Sequence, residues 1–143
     1  MKKDNVKYTL LPVKETRINE KGEDYFSTVG YIVSKAYVEE EYIKEKEDGS
    51  INTTYKVCFP YTVLDNRINY LRRTPESPLV RSNEAVVSKL YDNYDDAVAE
   101  KEERNIFVSE HMADKYNEIE KELLELTKDL EVVNIKNKTK KFK

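Results

Sequence analysis

The sequence has little of several residues that build functional sites: 143 residues contain no tryptophan, three glycines, one cysteine and one histidine. The single cysteine, Cys58, excludes an internal disulfide and favours a reducing compartment such as the cytoplasm. Three glycines are too few for a glycine-rich phosphate-binding loop. No second histidine or cysteine stands at metal-ligand spacing from His111, so we expect no metal site and no cofactor.

Long apolar runs are also missing. No stretch approaches the roughly 18 apolar residues that span a bilayer, so we expect no membrane segment. The opening residues MKKDNVKYTL include lysines but no apolar run behind them, and they predict no signal peptide. A Cys58–His111 nucleophile pair is conceivable. A thiol in the middle of a strand is more commonly a small buried hydrophobe, so we predict that the chain is not an enzyme.

Charge is distributed unevenly along the chain. Residues 1–91 have 15 basic and 14 acidic side chains, whereas residues 92–133 have 5 basic and 14 acidic ones, a net charge of −9. Residues 134–143 have 5 basic and no acidic side chains. We therefore predict one domain over 1–133, with the sheet at about 6–91 and helices at about 93–133, followed by a flexible basic tail.

Alternating apolar residues predict several strands in the first half of the chain. In residues 6–18 the alternation includes Pro12, which indicates an edge strand or one that ends early. A long strand-like segment, residues 25–48, is followed by a turn at 48–50 and a return strand at 51–59, which together predict a long hairpin. A three-residue turn would place Ile43 opposite Tyr55 and Tyr37 opposite Tyr61, and a two-residue turn would shift that register by one. The tip of the hairpin, residues 39–53, would extend beyond the core as a charged arm, which is either an ornament without a binding role or a contact element.

Further along, residues 67–73 suggest a short strand or helical turn, and EAVVSKLY at 84–91 suggests another strand. Asp92 or Asn93 can then cap a helix whose inward stripe is Tyr94, Ala97, Val98 and the stem of Lys101. Ser109 caps a second helix unless one long helix runs through this point. The predicted fold class is α+β: an antiparallel sheet of four or five strands with a long β-hairpin, then a C-terminal helical region.

Apolar residues recur at heptad spacing in the second helical region and form what we call the seam. Its members are Met112, Tyr116, Ile119, Leu123, Leu126, Leu130 and Val133. A helix of about 25 residues, roughly 37 Å long, would outreach a small sheet. The seam therefore predicts either association with another helix, which includes a homo-oligomer, or packing on the protein's own sheet.

Arginines are concentrated in residues 67–81, in a chain that otherwise favours lysine by 19 to 6. Together with two neighbouring tyrosines they form a candidate partner-binding surface: Tyr61, Arg67, Tyr70, Arg72, Arg73 and Arg81. The planar guanidinium can hold a carboxylate or phosphate, and tyrosine can stack on a base or fill a pocket. The alternative is that these arginines form ordinary ion pairs with the acidic helix.

The lysine bias, the absence of tryptophan and the frequent Asn, Ile and Tyr residues resemble the composition of small accessory proteins of phages or mobile elements in low-GC Gram-positive bacteria. That resemblance implies a protein partner in the host and a location in the host cytoplasm. The functional hypothesis is a non-enzymatic interaction module that binds and modulates or inhibits a host protein. The alternative is a nucleic-acid-associated accessory protein that uses the arginines and the basic tail, although the acidic helix would repel a polyanion.

Overall fold

A computed structural model of the chain describes residues 5–70 and 84–132, with only the backbone described for Tyr70 and Glu84. Six strands come first and two helices follow. The strands are β1 (Val6–Ile18), β2 (Asp24–Glu45), β3 (Ile51–Cys58), β4 (Tyr61–Leu64), β5 (Arg67–Tyr70) and β6 (Glu84–Val87), and the helices are α1 (Tyr94–Arg104) and α2 (Glu110–Leu126). The predicted basic tail, residues 134–143, lies outside the described residues.

The strands form one sheet in the order β5-β4-β1-β2-β3-β6, which confirms the α+β class. The sheet has six strands rather than four or five, and it is mixed rather than antiparallel, because β1 and β4 run parallel where Val13 and Lys14 lie opposite Val63 and Leu64. Past β6 the chain returns to β1, where Tyr8 and Tyr91 exchange two backbone hydrogen bonds of 2.9 and 2.8 Å. Strand β1 therefore has partners on both sides.

Pro12 neither ends β1 nor places it at the edge of the sheet, so that prediction is wrong. Strand β1 continues for six residues past Pro12, and Pro12 lies opposite Tyr31. Tyr31 directs its own backbone N–H and C=O away from β1, to the side chain of Asn105. Since residues opposite each other in such a pair share the same orientation, the missing N–H of Pro12 faces away from β2 and costs the ladder nothing.

The two long hairpins have turns of the same kind. Gly22 has φ = +80° and Gly49 has φ = +85°, which suits the left-handed last position of a three-residue turn. In the β2–β3 hairpin the turn is 47–49, one residue earlier than predicted, so Ile43 lies opposite Thr53. An extra residue, Glu39, then bulges from β2 and sets Tyr37 opposite Cys58. Both predicted registers are therefore wrong, although the hairpin itself is present.

The core lies on both faces of β2, because successive side chains of a strand point to opposite sides. Ile32, Ala36 and Val38 belong to the larger cluster, which also contains Val57 of β3, the following Phe59, and side chains of α2. Val33 belongs to a smaller cluster with Leu10 of β1 and Ala97 of α1. The two helices thus bury side chains in clusters that draw on opposite faces of the same strand.

The helices begin where the sequence predicts. The Asn93 side chain accepts a hydrogen bond from the Asp96 N–H, and that of Ser109 accepts one from the Met112 N–H. There are accordingly two helices rather than one. The inward stripe predicted for α1 is confirmed, since Ala97 and Lys101 are buried. Within residues 5–70 and 84–132, neither helix is long and apolar enough to cross a membrane.

Gly30 of β2 should resist substitution, because a Cβ atom there would lie 2.8 Å from Cε2 of the Tyr116 ring. Tyr116 is buried in the core and cannot swing aside. We expect Gly30→Ala to lower the free energy of unfolding by about 1–3 kcal/mol, measured by urea denaturation.

The matched control is the same substitution in a Tyr116→Leu background, where the ring is gone and Gly30→Ala should cost less. Equal costs in the two backgrounds would contradict the proposed contact.

Candidate functional site

The seam packs within the protein's own core. Tyr116, Ile119 and Leu123 are buried there, and Met112 packs partly buried against the same cluster. The expected helix of about 25 residues is wrong: α2 has 17 residues and ends at Leu126, which is 49% exposed. Leu130 follows the helix, and Val133 lies outside the described residues. The three buried side chains are therefore covered by this chain and are not presented to another.

Helix α2 ends at Leu126 and is capped by the next residue. Thr127 is buried and serves as the C-cap, and its hydroxyl donates to the Leu123 carbonyl at 3.0 Å. A threonine that bonds back to the last carbonyls satisfies groups that would otherwise need water. The regular spacing of the seam continues in the sequence past this point, but the helix does not.

The arginine-rich surface is described only in part. Tyr61 and Tyr70 lie opposite each other at one end of the β4–β5 pair, and Arg67 is exposed at the other end, beside the turn. The Tyr61 side chain packs partly buried against the core cluster. The remaining three members, Arg72, Arg73 and Arg81, lie outside the described residues, so their grouping stays a prediction.

A buried carboxylate joins both helices to the sheet. Glu120 of α2 is 3% exposed, and its Oε2 accepts hydrogen bonds from the Val33 backbone N–H at 2.8 Å and from Lys101 Nζ at 2.9 Å. Its other oxygen accepts from the Tyr94 hydroxyl. Lys101 also reaches Asn117 of α2 at 3.2 Å. Three donors from one strand and one neighbouring helix thus converge on a single side chain, which we call the Glu120 hub.

The hub also holds the Tyr94 phenol in its neutral form. Burial, the hydrogen bond to Glu120 and the negative charge of that carboxylate all raise the pKa of Tyr94 well above its usual value. A neutral phenol is the form that can donate to Glu120, so the geometry and the pKa direction agree.

Two residues before Val33, where the hub contacts β2, the side chain of Asn105 takes the place of a neighbouring strand. Its Oδ1 accepts from the Tyr31 N–H at 2.9 Å, and its Nδ2 donates to the Tyr31 carbonyl at 2.8 Å. Further along β2, Lys35 Nζ donates to the Thr127 carbonyl at 3.1 Å. That contact ties the end of α2 to the Lys35 side chain. Since β3 pairs with β2 only from Tyr37 onward, Asn105 and Glu120 replace a strand at the backbone groups of Tyr31 and Val33.

A cleft of about 370 Å³ lies beside α1 and β1. Strand β6 and the segment that follows it form a further wall of the cleft. Glu100 is its central charged group: it accepts from Arg104 Nε at 3.1 Å and lies 3.7 Å from Lys89 Nζ. Arg104 in turn stacks over the Tyr31 ring, with its Cζ 5.4 Å from the ring centroid. The cleft is of ligand size, but its charged side chains are paired with one another.

The pairing sets the charge state of the cleft. Burial of Glu100 opposes its charged form, but the hydrogen bond from Arg104 and the positive charges of Lys89 and Arg104 outweigh that effect, so the pKa of Glu100 lies below its usual value. An ionised and paired carboxylate is a poor general acid or base at neutral pH. Glu100 is therefore an ionised, paired carboxylate within the cleft.

The residues of the conceivable nucleophile pair lie in different environments. Cys58 is buried in β3, and His111 is exposed in the first turn of α2. In the described part of the chain, no group of three His, Cys, Asp or Glu side chains could hold a metal ion.

Sequence reasoning missed the Glu120 hub, although a signal is present. Glu120 lies four residues after Tyr116 and three before Leu123, which places it on the buried stripe of α2. A carboxylate at such a position needs a buried partner, and the inward-facing Lys101 supplies it.

No protein-family model, curated protein sequence or solved structure matches this chain.

Replacing Glu120 by Gln should destabilise the fold strongly, because it leaves the Lys101 ammonium buried without its counter-charge. We expect a loss of about 3–5 kcal/mol in the free energy of unfolding, measured by urea denaturation. Glu125→Gln, at an exposed position of the same helix, is the control and should change it by less than about 0.5 kcal/mol.

Adding Lys101→Met to Glu120→Gln removes the stranded charge and should recover part of the loss. If Glu120→Gln alone were as mild as Glu125→Gln, the hub would not hold the helices to the sheet.

The raised pKa of Tyr94 predicts a loss of stability in alkali. The unfolded chain releases this phenol proton near pH 10, before the folded chain does, so ionisation favours the unfolded state as pH rises above about 10. Urea denaturation between pH 8 and 11 measures the decline, and Tyr94→Phe should make it shallower. An unchanged slope in that variant would contradict the assigned cause.

Proposed function

We propose that this chain is a non-enzymatic protein-binding module whose contact surface is the tip of the β2–β3 hairpin, residues 39–53, called the arm below. The observation that supports it is the exposure of apolar side chains on the arm. Ile43 is 67% exposed and Ile51 is 68% exposed, and every residue from Glu40 to Asn52 is exposed.

The two isoleucines share one face of the arm. Ile43 lies opposite Thr53. Ile51 lies opposite Glu45, which is two residues after Ile43 on β2. Alternation along each strand therefore points Ile43 and Ile51 to the same side, where Tyr55 continues the apolar surface toward the core. Such a face gains from contact with an apolar groove, and its removal from water is the main driving force of binding.

Charge on the arm indicates the kind of partner. Residues 39–53 contain six acidic and two basic side chains, a net charge of −4. A groove with an apolar floor and a basic rim would complement this surface, and the opposite charges would accelerate encounter and help select the partner.

The arm also has the rigidity that a contact element needs. Its turn is closed by hydrogen bonds from Lys46 N–H to the Ser50 carbonyl at 2.8 Å and from Gly49 N–H to the Lys46 carbonyl at 2.9 Å. The Asp48 carboxylate accepts from the Ser50 N–H at 2.9 Å. A preformed arm loses less conformational entropy on binding than a flexible loop.

The composition favours a phage or mobile-element origin, and a host protein that this chain modulates or inhibits is then the partner we propose. The alternative is a nucleic-acid-associated accessory protein that uses the arginine-rich surface and the basic tail, but the net charge of −9 over residues 92–133 would repel a polyanion. We therefore rank it second.

Capture from a lysate of a low-GC Gram-positive bacterium tests the proposal. The tagged wild type should retain a discrete protein identifiable by mass spectrometry, and Ile43→Lys/Ile51→Lys should lose it without a change in thermal stability, since both positions are exposed. Val86→Lys, at an exposed aliphatic position on β6, is the matched control and should retain the partner.

Nuclease treatment of the lysate separates the two functions. If the tagged chain recovered only nucleic acid, and nuclease treatment removed that material, the protein-binding proposal would be wrong. Equal capture by the wild type and the double variant would remove the arm as the contact surface.

A further inference from the structure

The outer edge of β2 between its first turn and Asn105 carries backbone groups that point away from β1. The first hairpin closes with a hydrogen bond from the Asn19 N–H to the Glu23 carbonyl at 3.0 Å. Hydrogen-bonded and non-hydrogen-bonded pairs alternate from there along β1 and β2. Asp24, Phe26 and Thr28 consequently direct their backbone N–H and C=O groups away from β1.

The opposite edge of the same hairpin verifies this orientation. Lys14 and Thr16 lie across from Thr28 and Phe26, and their backbone groups also point outward. Asp65 covers them: its N–H donates to the Lys14 carbonyl at 2.9 Å, and its Oδ1 accepts from the Thr16 N–H at 2.8 Å. On that side of the hairpin, the Lys14 carbonyl and the Thr16 N–H thus have partners within the chain.

Along the outer edge of β2, the outward backbone groups differ in whether a described residue covers them. Tyr31 and Val33 are covered by the side chains of Asn105 and Glu120. Among residues 5–70 and 84–132, no strand and no side chain hydrogen-bonds to the outward groups at 24, 26 and 28. The uncovered stretch ends at the bulge of Val29, the extra residue in β2 between Thr28 and Gly30.

The side chains of this stretch do not deter pairing. In soluble proteins, charged side chains, proline or a covering element usually prevent an exposed sheet edge from pairing with another chain. Residues 25–28 are Tyr, Phe, Ser and Thr, without a charge or a proline, and Asp24 is the one charged side chain of the pairing stretch 24–28. Phe26 is 63% exposed. Ile18 of β1, which lies opposite Asp24 and on the same face of the hairpin as Phe26, is 69% exposed.

We propose that this edge pairs with the same edge of a second copy of the chain, antiparallel about a two-fold axis at Phe26. Phe26 then faces Phe26 of the second copy, and each Asp24 faces a Thr28. All three outward residues on each copy have their partner's outward groups opposite them, which gives six backbone hydrogen bonds.

A second copy fits better than an arbitrary strand because the stretch is complementary to itself. Reversing it about Phe26 never sets one aspartate opposite another, and it brings two phenylalanines together as a cross-strand aromatic pair. The available length is also matched, since the turn at Gly22 limits each copy at one end and the Asn105 cap limits it at the other. Isologous contacts of this kind close as dimers.

The expected dimer is weak, because five residues from each copy bury less than the roughly 800 Å² per partner of a stable complex. It leaves the arm free. Phe26 and Ile43 are 17 residues apart on one strand, or roughly 55 Å at the rise of a β-strand. A dimer through Phe26 would therefore present two arms pointing away from the shared edge.

Sedimentation velocity over a concentration series up to about 1 mM tests the proposal, since that range covers weak self-association. The wild type should shift from monomer toward dimer as concentration rises. Phe26→Lys and Phe26→Glu should each remain monomeric, because like charges would face each other across the axis. An equimolar mixture of the two variants should associate again, since lysine then faces glutamate.

Ile43→Lys is the matched control, as an exposed apolar position of the same strand, and should dimerise like the wild type. Because this control removes the arm's apolar face, failure of edge pairing and failure of the proposed function are distinguishable. Phe26→Pro is a second test: it deletes an N–H that β1 does not use, and it should also abolish association. A wild type that stays monomeric throughout, or association that Phe26→Lys leaves intact, would overturn the proposal.

Discussion

The buried carboxylate of Glu120 is the constraint on which the arrangement of helices and sheet depends. It stands 2.8 Å from a backbone N–H of β2 and 2.9 Å from the ammonium of Lys101, with the Tyr94 hydroxyl on its other oxygen. Burying a charge is expensive unless its partners are placed well, so this contact tolerates few alternative positions of α1 and α2. It fixes how the two helices lie along the edge of β2, with Asn105 beside it.

The way in which the chain covers the edges of its sheet explains much of the remaining structure. Strand β2 is much longer than β3, so half of its outer edge has no strand beside it among the described residues. Side chains cover that edge at Tyr31 and Val33, and within residues 5–70 and 84–132 nothing hydrogen-bonds to it around Phe26. At its other end, β2 extends beyond the core with β3 to form the arm. The two surfaces proposed for binding are thus the two ends of one strand that outreaches its neighbours.

Local signals in the sequence predicted local structure well. Asn93 and Ser109 were identifiable as helix caps because a short polar side chain satisfies the first-turn amides wherever a helix starts. Hairpin register was not predictable in the same way, because it depends on which residue takes the left-handed position and on a bulge at Glu39 that no local signal in the sequence marks. The candidate site was harder still. Glu120 belongs to a strongly acidic segment, and only its place on the stripe between Tyr116 and Leu123 distinguishes it from solvated neighbours.

Amide hydrogen exchange in dilute protein tests the central claim, that helix side chains cover one part of the β2 edge. At concentrations where the chain is monomeric, the Tyr31 and Val33 amides should exchange slowly, because Asn105 and Glu120 accept from them. The Phe26 and Thr28 amides, on the same edge of the same strand, should exchange fast. Equal exchange at all four positions would contradict the account.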